Sequence, residues 1–315
     1  MNLLVKVIRP IFFLLASMSV FLLGGCKPMV VLDPKGPVAA QQRDLILLSI
    51  VFMLLIIVVV FVLFTLIVIK FRERKSNLGQ EPPEMEGSKF LEIMWTVIPV
   101  IIVIALSIPT VRTIYSLEEP PAESKDKKPL VIYATSVDWK YIFSYPEENI
   151  ETVNYIHIPV DRPIQFRLTS ADTMASFWIP QLGGQKYNMS GMEMKLYLEA
   201  DEPGIYKGRN ANFTGEGFNN MRFDVHAESE QKFKQWAEKQ KSAPKLTEKQ
   251  FEKLMLPGPV DKPMTFSGTH YQWVDIAKDP EYALNVRKKY GIDYQENSAK
   301  PRQEEKKDTG DELNK

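Results

Sequence analysis

Cysteine and histidine are almost missing from this chain: its 315 residues hold one Cys and three His. A single Cys excludes a disulfide framework and any cysteine-based zinc centre within one chain. The histidines, His157, His226 and His270, follow no HxxxH or HxxE spacing, which argues against a metal enzyme built from this chain alone. Net charge is lacking too. The 39 Lys and Arg offset 39 Asp and Glu, so there is no global basic field to hold nucleic acid. No internal repeat is evident. Gly183-Gly184 and Gly215-Glu216-Gly217 mark turns, and the second lacks the strand–helix context of a nucleotide loop.

What the chain does have is apolar sequence, unevenly spread. Lys6 and Arg9 precede an apolar stretch at 11–23, which runs into Leu23-Gly24-Gly25-Cys26. A basic start, a short apolar core and small residues before a cut describe an export signal, and the stretch is too short to span a bilayer. Small residues directly before a Cys resemble a bacterial lipobox. Residues 1–25 are therefore expected to be a lipoprotein signal peptide. Cys26 would be the acylated (palmitate-type) start of a lipidated segment, 26–44, which also explains an unpaired Cys in an exported protein. A diacylglyceryl group plus an N-acyl chain anchors firmly, at about 0.8 kcal/mol per buried methylene. The alternative is a buried thiol in an uncleaved helix.

A membrane hairpin is expected over 45–115. Residues 45–69 carry no charge and exceed the roughly 20 residues that a span requires. Lys70, Arg72, Arg74 and Lys75 follow at once and place that end in the cytoplasm. An acidic, Pro-containing turn at 80–87 leads to a second span, 90–114, interrupted by Pro99 and Pro109, which packed neighbouring helices tolerate. The N-terminus and everything after Tyr115 then lie outside the cell membrane.

After a polar linker, 116–128, the period changes to two. LVIYATSV, YIFSY, VNYIHIPV, IQFRLTS, MKLYLEA and MRFDVH are short alternating runs separated by turn residues, the pattern of an all-β sandwich or barrel over 129–227. Residues 228–295 follow as an extension. It has amphipathic helices at 231–241 and 247–255 and an aromatic segment, FSGTHYQWV, at 266–274, read as packing on a partner. Residues 296–315 are charged, nearly devoid of apolar groups, and expected to be a disordered tail. Met189, Met192 and Met194 are soft donors, but Met192 and Met194 are read as one strand face and as packing. His157 and His226 are read as structural.

Residues 206–221, YKGRNANFTGEGFNNM, and 170–181, SADTMASFWIPQ, closely resemble the copper-binding stretches of subunit II of haem–copper respiratory oxidases. In the cytochrome c oxidases of that family, two Cys, a Glu, a His and a Met of the loop, with a His of the SFW stretch, hold a dinuclear copper centre. Here the Cys positions are Asn210 and Thr214, the Glu position is Asn212, the loop His is Phe218 and the SFW His is Ala175; Met221 is retained. A dinuclear copper site needs thiolates and imidazoles, which amide, hydroxyl and phenyl groups cannot replace.

That pattern resembles the copper-less quinol oxidase branch, as does the aromatic extension. The resemblance implies an α+β membrane protein: a two-helix hairpin, then an extracytoplasmic cupredoxin-like Greek-key β-sandwich with a helical and aromatic extension. It implies a subunit of a proton-translocating quinol:oxygen oxidoreductase that reduces oxygen to water. This chain would bind no cofactor and serve as scaffold. Haem and copper would lie in a partner subunit I, with further small membrane subunits and quinol as substrate. Residues 92–99, EIMWTVIP, resemble the family's second helix, which makes Glu92 a candidate for proton admission; an interfacial acid at a helix start is the plainer reading. Trp139 aligns with an aromatic of electron admission, but without copper beneath it is read as packing or as a contact with subunit I. A lipid-anchored binding module with a metal-free cupredoxin shell is the alternative from another class.

Overall fold

The computed structural model describes residues 29–72 and 87–292. The expected signal peptide, Cys26, the cytoplasmic turn with Arg74 and Lys75, and the tail at 296–315 lie outside these residues.

Two long helices come first: α1 (Pro37–Phe71) and α2 (Lys89–Ser116). With mean hydropathies of 3.6 and 2.4 over their apolar windows, both are long and apolar enough to cross a membrane. Helix α1 starts eight residues before the expected 45, because Gly36 caps it and Pro37 supplies the preset φ of a first helical position. The apolar run marks only the part that lipid would surround. The added turns project by about 12 Å at 1.5 Å per residue and carry Val38 and Ala39, both buried against the β domain. Pro99 and Pro109 lie inside α2 without ending it.

The β domain holds β1 (Leu130–Val137), β2 (Lys140–Tyr145), β3 (Ile150–Val153), β4 (Tyr155–Pro159), β5 (Ile164–Ser170) and β6 (Ala175–Phe177). It continues with β7 (Lys186–Asn188), β8 (Met194–Leu198), β9 (Gly204–Arg209) and β10 (Arg222–Glu228). The extension adds α3 (Glu230–Gln240), α4 (Glu248–Leu254), β11 (Met264–Ser267) and α5 (Tyr282–Lys289). One sheet runs β11-β3-β2-β1-β5-β8, a second β4-β10-β9, and β6 pairs with β7. The parallel pairs β1/β5 and β4/β10 amid antiparallel neighbours make this a two-sheet Greek-key sandwich. Between the sheets, Phe177 meets Phe223 at 5.0 Å and Phe166 at 4.9 Å, and Tyr141 meets Phe223 at 4.9 Å. Each such ring contributes on the order of 2 kcal/mol by burial.

Three readings change. Met192 does not share a strand with Met194; it precedes β8 and is exposed. The aromatic segment does not wait for a partner. Its β11 pairs with β3, Tyr271 lies on Tyr133 at 4.5 Å, and buried His270 bonds buried Glu151 through Nδ1 at 2.7 Å. Strand β9 was hidden by its glycine and charges. Its inward position 208 must be glycine, because a Cβ there would lie 2.1 Å from the Phe223 ring. The linker is docked as well: buried Ser124 donates to Glu199, and Lys186 pairs with Glu118 at 3.0 Å.

Candidate functional site

Of the positions expected to have held copper donors, Asn210, Asn212, Thr214 and Met221 are joined by hydrogen bonds. Alternation along β6 sends Ala175 and Phe177 together into the core and leaves Ser176 and Trp178 to meet the 210–221 loop, where β9 ends and β10 has not begun. Asn210, almost fully buried, is the hub. Its Oδ1 accepts from the Ser176 N–H at 2.9 Å and the Asn212 N–H at 2.9 Å, and its Nδ2 donates to Thr214 Oγ1 at 3.1 Å. Asn212 Nδ2 donates to the Met174 carbonyl at 2.8 Å, tying the two stretches together again. Met221 is buried and its carbonyl accepts from Asn210 N–H at 3.0 Å. Phe218 is half-buried and packs on Phe213 at 5.7 Å. A small network of amide hydrogen bonds occupies the geometry of a ligand set.

These residues do not fit copper. No thiolate or imidazole is among them, and both ends of the Asn210 amide are engaged in hydrogen bonds that a metal would have to break. Among the described residues there is no group of three His, Cys, Asp or Glu able to hold an ion.

Trp139 closes the site from above. It stands at φ 67°, a left-handed backbone that a bulky residue rarely adopts, in the turn between β1 and β2. The indole Nε1 donates to the Thr214 carbonyl at 2.9 Å, and its ring fills the place of a Cβ at Gly217, 2.1 Å away. Gly217 is therefore glycine because an indole lies on it. Beside the loop, a cleft of about 340 Å³ is lined by Trp178, Arg209, Phe218 and Arg222, with the Arg209 guanidinium 4.7 Å over the Trp178 ring.

The residues that sequence reasoning missed surround this turn. Asp138, Lys140, Asp172 and Arg287 form a buried charge cluster. Arg287 meets Asp172 at 2.5 Å and Asp138 at 2.9 Å, and Lys140 Nζ donates to the carbonyls of Leu256 at 2.8 Å and Gly258 at 2.7 Å. Burial, with Asp138 adding repulsion, raises the Asp172 carboxyl to about 6; burial lowers the Lys140 ammonium to about 8 against the pull of Asp138 and Asp172. Contacts across 34 to 149 positions leave no local pattern.

The other sequence candidates lie elsewhere. Glu92 sits in the first turn of α2, exposed, with its N–H bonded to the Ser88 carbonyl at 3.0 Å. His157 and His226, far apart in sequence, are opposite one another in the parallel β4/β10 register and stack at 4.6 Å, with Trp236 on His157 at 4.4 Å. His157 Nδ1 bonds Glu228 at 2.6 Å, and burial lowers its pKa against that partner. Stacked rings of this kind pack.

Two family descriptions match the chain: cytochrome c oxidase subunit II, transmembrane domain, over residues 29–113, and cytochrome c oxidase subunit II, periplasmic domain, over residues 130–228. Quinol oxidase subunit 2 of Bacillus subtilis (strain 168) is 60% identical over 290 residues, covering 91% of this chain and 90% of that protein. Quinol oxidase subunit 2 of Bacillus cereus (strain ATCC 10987 / NRS 248) is 54% identical over 271 residues, covering 85% and 92%. Among solved structures, the periplasmic domain of subunit II of cytochrome oxidase of Bradyrhizobium japonicum matches 36% of this chain and 94% of its own at 22% identity, with a TM-score of 0.35.

Proposed function

This chain belongs to the cytochrome c oxidase subunit II family, and we propose that it works as the non-redox second subunit of a membrane quinol oxidase complex. The relatives of 60% and 54% identity carry the name quinol oxidase subunit 2. The observation in the fold that supports the same reading is Asn210. Where a copper-bearing subunit needs a thiolate, this chain has a buried amide engaged in hydrogen bonds at both its oxygen and its nitrogen. Electrons have no metal to land on here, so a soluble cytochrome has no reason to deliver them to this domain.

In this reading the haem and copper centres belong to a partner subunit I, further small membrane subunits complete the complex, and quinol is oxidised there. The chain is a multi-pass protein of the bacterial cell membrane, with residues 1–25 removed and Cys26 acylated. Residues 129–227 are the cupredoxin-like domain on the outer side, 228–295 its extension, and 45–115 the hairpin that docks on subunit I. The 20 exposed large apolar residues of α1 between Ile46 and Ile69, a stretch free of charge, suit burial in lipid and against neighbouring helices.

The complex purified through this chain is expected to consume oxygen with a reduced quinol and not with reduced cytochrome c. Oxygen consumption with cytochrome c would overturn the use made of Asn210, and co-purification without haem would favour a free-standing binding module.

Glu92 is assigned to proton admission at the cytoplasmic end of α2. A carboxylate at the edge of an apolar run is costly unless solvated or used. Glu92→Gln is expected to slow oxygen reduction by about a hundredfold, the lower end of the usual range for loss of a proton-transfer group, in a complex assembled at the normal level. Normal turnover and proton uptake would make Glu92 an interfacial acid only.

A further inference from the structure

The C-terminal extension reaches the lost copper position through charge. Its two contributions are Arg287, from α5, and the carbonyls of Leu256 and Gly258, after α4. Arg287 is 2% exposed, and its Nε donates to the Met255 carbonyl at 2.8 Å, which fixes the guanidinium to the extension before it meets the sandwich. Its other side grips two stretches at once: Asp138 in the β1–β2 turn and Asp172 in the segment leading to Ala175. Those two are themselves joined, Asp138 N–H donating to Asp172 Oδ2 at 3.3 Å. Lys140, also 2% exposed, leaves the other end of the same turn and points back to the extension. Between Asp138 and Lys140 stands Trp139, the residue that lies on Gly217 and bonds Thr214.

The charges balance: two carboxylates, one guanidinium, one ammonium. A planar guanidinium suits two acceptors at fixed separation, whereas an ammonium suits converging carbonyls. A buried cluster of this kind is weak evidence for added stability and better evidence for fixed geometry. The geometry it fixes is a left-handed tryptophan, and a residue held at φ 67° keeps that backbone only when its surroundings over-determine it.

We infer that Arg287 and Lys140 are positioning residues through which the C-terminal extension holds the Trp139 turn, and with it the 210–221 loop, in the arrangement that metal–ligand bonds would otherwise impose. The extension is the cross-link of a loop that has none of its own. This inference rests on contacts within the chain and does not depend on the oxidase assignment.

The test is hydrogen exchange of the full-length chain in detergent, comparing wild type with Arg287→Met, Arg287→Lys and Trp139→Ala. Arg287→Met is expected to speed exchange at residues 211–218 by about tenfold, while β10 and the core of the large sheet keep wild-type protection. Arg287→Lys is expected to recover part of the protection, since an ammonium can still meet one carboxylate. Trp139→Ala should loosen the loop equally and leave the extension protected. Wild-type exchange of the loop in Arg287→Met, with only residues 255–290 loosened, would overturn the inference. Should Arg287→Met fail to fold, the paired change Asp172→Asn with Arg287→Met keeps the charge balanced and asks the same question. Uniform loss of protection in that variant would also overturn it, by making the cluster a general support of the fold.

Discussion

Replacing Gly36 with alanine is expected to separate the first membrane helix from the outer domain. Gly36 has φ −166°, extended backbone open to any residue, so the demand is for space alone. A Cβ there would lie 2.0 Å from the carbonyl oxygen of Glu199 and 3.1 Å from its carbon. Both are backbone atoms just after β8, where no rotamer can yield. The contact sits among ladder-like bonds, Lys35 N–H to the Gln181 carbonyl at 2.7 Å and Asp201 N–H to the Lys35 carbonyl at 2.9 Å, beside buried Val38. Forcing the strands apart breaks these together, at a cost on the order of 3 kcal/mol, the upper end for overpacking. Limited proteolysis in detergent should show new cleavage within 30–40, with the sandwich core still resistant. An uncleaved segment and wild-type assembly would mean that the helix start can shift without loss.

The second large effect is a pH dependence. The Asp172 carboxyl stands at about 6 in the folded chain, raised by burial first and by Asp138 next, against an ordinary 3.8. Below 3.8 the group is protonated in both states and contributes nothing. Between 3.8 and 6 the folded state keeps the proton that the unfolded state releases, so stability falls as pH rises. Above 6 the whole penalty is present, roughly 3 kcal/mol at 1.36 kcal/mol per pH unit. Lys140 acts in the opposite range. Its folded value, about 8, lies below 10.5, so its contribution recovers as pH rises from 8 to 10.5. The cluster is fully charged, and least favourable, between pH 6 and 8. Asp172→Asn removes the first titration. Denaturant unfolding of the outer domain in the full chain should show the variant gaining on wild type as pH rises from 4 to 6, then a constant difference. A difference that does not change with pH would place Asp172 in a solvated setting.

The sequence by itself determined the parts of this protein that rest on local physics. Period two marked β1 and β5 to the residue, since half-buried strands must alternate. The charge-free run announced α1. The residue types at 175, 210, 212, 214 and 218 ruled out copper before any geometry, because donor chemistry belongs to the side chain and not to the fold.

Tertiary structure decided the rest. The start of α1 at Pro37 depended on a domain to receive Val38, which no local pattern announces. Strand β9 depended on Phe223 filling the space at Gly208. The aromatic segment looked like a surface for a partner because its alternation was too short to read, yet β11 found its partner in β3, well over 100 positions earlier. Above all, Asp138, Lys140, Asp172 and Arg287 are ordinary charged residues in the sequence. Only folding brings them together away from water, where a charge must find a counter-charge or a carbonyl, and that need makes the extension the holder of the 210–221 loop.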